Sequence, residues 1–269
     1  MSVIEVKNLT KDYGSGRGVF DVNISVNKGE VFGFLGPNGA GKSTTIRHLM
    51  GFSKPDSGET YILGKPTFEK YYEVLSKVGY IPGEIALPQG LTGWEFIRMM
   101  QSMQKTENKA RLNELLEIFE LADAELRGET KRMSLGVKRN LAVVTAFMSD
   151  PEVLILDEPT TGLDPMTRKT LWEVIYSLQK NTGMTVFLTT HYMEEAADAD
   201  YVVILDGGRI AAEGTPLELK NAYTGDFITL YNVKEEQVKA LALPYERVGG
   251  AFRITVGDTA AATITSTAR

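Results

Sequence analysis

Residues 36–44 read Gly36-Pro37-Asn38-Gly39-Ala40-Gly41-Lys42-Ser43-Thr44, the complete pattern G-x-x-x-x-G-K-S followed by threonine. Each fixed residue type has a chemical task. The glycines let backbone N–H groups turn inward and approach an oxyanion closely. Lys42 reaches β- and γ-phosphates, and the Ser43 hydroxyl completes the shell of a Mg²⁺ ion. The flanks agree with this reading. Val31 to Leu35 is a short apolar run, read as a buried strand. Ser43 to Met50 reads as a helix whose N-terminus turns unpaired donors and a positive dipole end toward the phosphates. The alternative is a glycine-rich turn between two elements with no site, and the flanking context disfavours it.

A second motif lies downstream. Val153-Leu154-Ile155-Leu156 is fully apolar, as expected of a strand buried on both faces of a parallel sheet. Asp157 follows it directly, at the strand end beside the phosphate loop, where a carboxylate can hold Mg²⁺ through water. Glu158 comes next and can orient and polarise an attacking water. An Asp-Glu pair that merely caps a helix is the plainer alternative. His191 comes just after the apolar run Val186 to Leu188, on the same predicted sheet edge, where a neutral imidazole can hydrogen-bond a γ-phosphate oxygen. His48, the other histidine of the two, falls inside the helix after the phosphate loop and reads as a packed helix residue. Tyr13 can offer a π-face to a purine or serve the core.

Between the phosphate loop and Asp157 stands Met133-Ser134-Leu135-Gly136-Val137-Lys138-Arg139. The order phosphate loop, helical insert, Ser-x-Gly-x-x-Arg, then Asp-Glu resembles the ATP-binding cassette ATPases of membrane transporters, over residues 3–222. The resemblance implies further roles. Thr160-Thr161-Gly162-Leu163-Asp164-Pro165 looks like the loop linking two nucleotide sites, with Asp164 contributing to ATP binding. His191 matches the switch histidine, and Tyr13 matches the aromatic that stacks on adenine. Ser134 reads as the N-cap of a helix running to Met148, and with Gly136 it would complete the site of an opposite protomer. Leu135 stands where the family has its first signature glycine, and Val137 where it has glutamine. After Gly79-Tyr80-Ile81-Pro82 the family places a glutamine, and here Gly83-Glu84 follows. Two readings of Glu84 stay open, a Mg²⁺ ligand or a contact with the permease. The variant loop looks similar to drug and antibiotic exporter ATPases whose permease is a separate chain.

Composition sets the outer bounds. The 269 residues are 43% hydrophobic and 24% charged, enough for one large core and a small appendage. Cysteine is absent, which excludes disulfides and cysteine-based zinc sites. No apolar stretch approaches the roughly 20 residues of a membrane span, and no signal-like segment opens the chain. A net charge of −6 argues against broad nucleic-acid binding. Lys131, Arg132, Lys138 and Arg139 form a local basic cluster that reads as a solvated face rather than a phosphate contact.

The expected fold is α/β, a P-loop mixed sheet with an antiparallel β part from Val3–Leu9 and Phe20–Val26. A helical insert is expected over about residues 86–150. The ATPase domain is expected to span residues 1–223. A small β-α-β appendage is expected over residues 224–269, and its Ala/Thr-rich end after Asp258 is uninformative. The implied function is ATP hydrolysis driving transport, most consistent with export, by a partner integral-membrane permease. ATP and Mg²⁺ are the implied cofactors. A second ATP-binding subunit, in a homo- or heterodimer, is the implied partner. The implied location is the cytoplasmic face of the membrane, held there by the permease. Three rival readings are a non-transport cassette ATPase, a regulatory nucleotide-binding module and a GTP switch. The last needs Asn-Lys-x-Asp, and Asn27-Lys28 and Asn108-Lys109 lack the aspartate.

Overall fold

The computed structural model describes residues 2–223, 226–231, 233, 235–239, 241, 243, 245–248 and 251–256. It opens on two antiparallel strands, β1 (Ser2–Asp12) and β2 (Gly18–Asn27), in register at Ile4 opposite Val26. From Val22 to Asn27, buried and exposed residues alternate strictly, so β2 shows one face to the core and one to water. β3 (Val31–Leu35) is buried throughout and leads into α1 (Lys42–Leu49). β4 (Ser57–Ile62) and β5 (Lys65–Pro66) complete a four-stranded antiparallel sheet ordered β2-β1-β4-β5.

A short helix α2 (Tyr71–Leu75) precedes β6 (Val78–Ile81). The helical block follows, as α3 (Gly93–Gln104), α4 (Lys109–Ile118), α5 (Asp123–Leu126) and α6 (Leu135–Phe147). Thr92 and Glu95 form a reciprocal cap that starts α3. α6 packs on α3 and α4, burying Phe96, Ile97, Leu112, Leu115, Leu141 and Val144 at helical spacing.

β7 (Val153–Asp157) and β8 (Thr185–Thr190) are wholly buried, separated by α7 (Pro165–Thr182). Asp164 caps α7, proline takes its first turn and left-handed Gly183 ends it. β9 (Tyr201–Asp206) turns at Gly207-Gly208 into β10 (Arg209–Gly214). The second sheet is ordered β10-β9-β3-β8-β7-β6, and its β9, β3, β8, β7 and β6 run parallel. One core joins the two sheets, with Ile4, Val6, Phe32, Phe34, Ile155 and Phe187 among its members. Phe32 stacks on Phe187 at 5.3 Å.

The parallel registers decide where the chemistry sits. Leu35 lies opposite Thr190, Asp157 opposite Thr189, and Ile81 opposite Leu156. The residues that leave these strands therefore emerge at one edge. They are the phosphate loop, Glu158, His191 and Gly83. The carboxyl edge of a parallel sheet is where open α/β folds bind ligands.

The chain divides into two compact units, Met1–Glu213 and Gly214–Arg269. In the second, Thr215 and Glu218 cap α8 (Pro216–Tyr223), as Thr215-Pro216 predicts. β11 (Asp226–Tyr231), α9 (Glu235–Lys239), β12 (Tyr245–Val248) and β13 (Ala251–Val256) follow. Their antiparallel sheet is ordered β11-β13-β12 around Val238, Phe252 and Ile254. The appendage thus carries one strand more than the expected β-α-β. The tail after Asp258 lies outside the described residues. Among the described residues no helix is long and apolar enough to cross a membrane.

Candidate active site

The phosphate loop closes on itself through its lysine. Lys42 Nζ donates to the carbonyls of Gly36 (2.8 Å) and Pro37 (3.2 Å), and lies 3.1 Å from Glu158 Oε1. Only 4% of the Lys42 side chain is exposed. The cap residue of α1, Gly41, is left-handed (φ 111°), and no side chain caps the helix. A Cβ on Gly41 would meet Val19 Cγ1 at 2.5 Å, so only glycine fits this turn against β2. No acidic residue occupies the first turn of α1, so its positive end is left for an anionic ligand. A cavity of about 490 Å³ opens over it, lined by Tyr13, Arg17, Asn38, Lys42, Ser43, Arg47 and Glu158 among others.

The Asp-Glu pair sits across from the loop. Ser43 Oγ donates to Asp157 Oδ1 at 3.3 Å, and Thr189 Oγ1 donates to the same oxygen at 2.7 Å. Glu158 adopts a left-handed backbone (φ 46°), which is uncommon for a residue with a side chain. Its N–H donates to Thr189 O and Oγ1 at 3.1 Å each, which ties the turn to β8. Glu158 Oε2 lies 3.5 Å from His191 Nδ1 and 3.4 Å from the Thr161 hydroxyl. Lys42, Ser43, Asp157, Glu158 and His191 therefore form one cluster.

Oxygen donors of this kind suit Mg²⁺, a hard cation that is bound by one or two carboxylates together with substrate phosphates. Asp157 and Ser43 fit that description. Among the described residues no group of three or more His, Asp or Glu forms an all-protein metal cage.

The other residues singled out in the sequence are spread around the cluster. Tyr13 is 46% exposed at the cavity mouth rather than in the core, with the Lys11 ammonium 5.9 Å from its ring centre. Ser134 caps α6, its Oγ accepting from Val137 N at 3.2 Å. Gly136 has open space around it; an added Cβ would approach nothing nearer than Ser134 Oγ at 4.0 Å. Neither residue lines this cavity. Asp164 engages its own helix, accepting from Met166 N and Thr167 N and from the Thr167 hydroxyl at 2.6 Å. Those bonds, the Thr167 hydroxyl first, hold its carboxyl below the usual range. Glu84 is exposed and outside the cavity. His48 is fully buried in α1, its Nδ1–H donating to Ser53 O at 2.8 Å.

One expectation is overturned. Arg139, placed with Lys131, Arg132 and Lys138 on a solvated face, is 1% exposed. Its guanidinium donates to the carbonyls of Pro159, Thr161 (3.1 Å) and Gly83 (3.3 Å), and reaches Glu158 O at 3.5 Å. Burial lowers its pKa from the usual arginine value. A planar fork with five donors can bind several carbonyls at once, which the solvent alternative overlooks. Lys131 and Arg132 are exposed, as expected. Sequence reasoning also passed over Thr189, Arg17 and Arg47. Thr189 had a signal, since it precedes His191 by two residues at the same strand end. Arg17 had one in its place beside Tyr13, in the turn Gly14–Gly18.

Known proteins resemble this arrangement. Residues 19–161 match the ABC transporter family. Nod factor export ATP-binding protein I of Cupriavidus pinatubonensis is 35% identical, over 90% of this chain and 76% of that protein. A daunorubicin resistance ATP-binding protein of Streptomyces coeruleorubidus is 38% identical, over 84% of this chain and 72% of its own length. The bacitracin transport ATP-binding protein of Bacillus licheniformis is 38% identical, over 79% and 69%. Among solved structures, an ATP-binding subunit of an ABC transporter superposes with a TM-score of 0.75 at 31% identity, covering 89% of this chain and 98% of that one. A dimeric cassette in a post-hydrolysis state, bound to ADP and Pi, shares the fold with a TM-score of 0.72 at 24% identity, over 79% and 98%.

Proposed function

The chain belongs to the ABC transporter family and is an ATP-binding, ATP-hydrolysing subunit of a transporter; from that premise we propose how its residues act and what it moves. ATP lies over α1, with its base against Tyr13 and its phosphates on the loop Gly36–Thr44. Phosphate oxygens replace Gly36 O, Pro37 O and the Glu158 carboxylate as acceptors for the Lys42 ammonium. Once its pairing with Lys42 is exchanged, the Glu158 carboxylate accepts the proton of the water that attacks the γ-phosphorus. The bond to the β–γ bridging oxygen breaks, and ADP and phosphate result. His191 donates an imidazole N–H to a γ-phosphate oxygen while resting against Glu158. Ser43 and Asp157 would hold a Mg²⁺, which would supply positive charge against the phosphates. Thr189 keeps Asp157 Oδ1 turned toward Ser43.

The observation that carries this reading is the convergence of Lys42, Ser43, Asp157, Glu158 and His191 at one sheet edge. Ser134, Gly136 and Asp164 lie outside the cavity and act in the facing site of a second cassette. The open space at Gly136 supports that arrangement. Residues 1–223 act as the ATPase domain, and residues 224–269 as an appendage to it. The exposed Glu84 favours contact with a membrane permease over a metal role. The likeness to Nod factor export, daunorubicin resistance and bacitracin transport ATP-binding proteins supports export of a drug, antibiotic or other substrate, with this subunit on the cytoplasmic face of the membrane.

The test uses inverted membrane vesicles containing this chain and the membrane protein that co-purifies with it. ATP-dependent uptake of a fluorescent amphipathic drug, lost in Glu158→Gln, supports export. ATPase activity without such uptake, together with ATP-dependent movement in right-side-out vesicles only, refutes it.

A further inference from the structure

Glu195 is a carboxylate inside the protein, with 2% of its side chain exposed. It lies in the helical turn Met193–Ala196 that follows His191. Its Oε1 accepts from the Thr160 hydroxyl and lies 3.5 Å from Arg168 Nε, while its Oε2 has no partner. A buried charge with one ionic neighbour and an orphan oxygen is costly. Arg168 is also ill placed for its own helix, since a cation in the first turn of α7 opposes the helix dipole. Both groups are held by tertiary partners instead. The Arg168 guanidinium lies over the Tyr192 ring, 4.1 Å from its centroid. The Tyr192 ring in turn is 4.0 Å from the His191 ring, tilted by 39°.

These contacts close a circuit. From Glu158 the chain runs two residues to Thr160 and crosses to Glu195. It continues through Arg168 and Tyr192 to His191, whose Nδ1 returns to Glu158 Oε2 at 3.5 Å. We propose that Glu195, Arg168 and Tyr192 are positioning residues for hydrolysis, which fix the His191 ring and the Thr160 turn relative to the Glu158 carboxylate. Arg168 acts through both arms of the circuit. One arm is its ion pair with Glu195, which braces the turn after Glu158. The other is its stacking on Tyr192, which sets the plane against which His191 rests. The proposal rests on Glu158 being the base. A purely structural alternative would have the same ion pair only tie α7 to the turn Met193–Ala196.

The two are separated by kinetics and by the imidazole signals. The chain has two histidines, so its imidazole NMR spectrum holds two sets of signals. That of His191 is identified by its loss in His191→Asn. Tyr192→Leu removes a half-buried ring and leaves no buried charge behind. Tyr192→Phe restores the ring. Glu195→Gln keeps the shape and removes the charge that holds Arg168. Tyr192→Leu and Glu195→Gln are expected to lower kcat by about 10-fold or more with KM for MgATP little changed, because misplacement weakens chemistry more than binding. Tyr192→Phe is expected to retain most of the turnover. Glu195→Gln is also expected to shift the His191 signal.

The proposal is overturned if folded Tyr192→Leu turns over like the parent, or if Tyr192→Leu and Tyr192→Phe lose activity equally. An unmoved His191 signal in folded Glu195→Gln overturns it as well. Glu158→Gln, assayed beside them, reports on the underlying assignment. Full turnover in that variant would remove Glu158 as base, whereas normal turnover in the positioning variants alone removes only the circuit.

Discussion

Replacing Arg139 with methionine tests whether the site depends on a cation that touches no phosphate. Methionine has similar bulk and no donors. The substitution strips a donor from the carbonyl of buried Pro159 and from that of half-buried Gly83. Thr161 is exposed, so its carbonyl can turn to water instead. Two acceptors left unpaired at about 1–3 kcal/mol each give a gross loss of about 2–6 kcal/mol. Some of this is returned, because a cation whose pKa burial already lowers no longer has to be desolvated. A net destabilisation of about 2–4 kcal/mol is expected, which for a domain of this size moves the melting midpoint down by about 5–15 °C. Thermal melting followed by circular dichroism measures it. Turnover should fall as well, even far below the midpoint, because the same guanidinium ties down the backbone of Glu158 and the turn after it. Arg139→Lys should recover only part of both losses, since an ammonium lacks the planar fork. A melting midpoint within about 2 °C of the parent, with unchanged turnover, would falsify the tether.

Three other outcomes follow from the geometry. Gly136→Asp should leave the melting of the single chain nearly unchanged, since its Cβ meets nothing within 4 Å other than Ser134 Oγ at that limit. It should abolish ATP-induced dimers in sedimentation; a variant that still dimerises places the signature outside the interface. Tyr13→Ala should weaken ATP binding by about 5- to 150-fold, the range given by base–aromatic stacking, while Tyr13→Phe keeps it; calorimetric titration with equal affinities for both variants would remove the stacking role. His48 has its pKa pushed below 6.5, chiefly by burial, so the folded state resists protonating it. Its contribution is therefore complete above that value and is lost as pH falls from 6.5 through its folded pKa. Urea unfolding of His48→Gln should lose less stability than the parent between neutral and mildly acid pH.

The sheet and its catalytic edge were legible in the sequence because they depend on local patterns. Short all-apolar runs such as Val153–Leu156, too short for a helix of ordinary length, read as strands covered on both faces, and the motif residues that follow them share an edge. The phosphate loop carries its own geometry in its glycines. Arg139 was misread because nothing local marks it. Its neighbours Lys131 and Arg132 do face water, and its own burial is decided by four carbonyls that lie far away in sequence. Glu195 is hidden for the same reason, since its partners Thr160 and Arg168 come from other elements. The start of α7 at Pro165 carries a local mark, because Asp164-Pro165 is a cap followed by a first-turn proline. Strand β12 offered less, with two charged residues in four positions and no alternation to read.

The central claim is that Glu158 performs the proton transfer while the rest of the site binds the nucleotide. Glu158→Gln tests it most directly, with turnover and ATP affinity measured on the same sample. Loss of a general base should lower kcat by about 10²–10⁴-fold. Affinity should move the other way. Lys42 now holds Glu158 at 3.1 Å and must exchange that partner for phosphate. A charged hydrogen bond exceeds a neutral one by about 1 kcal/mol, so the weaker amide partner should tighten ATP binding about 5-fold. Slowed hydrolysis with equal or tighter ATP binding is the predicted result. Turnover near that of the parent, or a variant that can no longer bind ATP, contradicts the account.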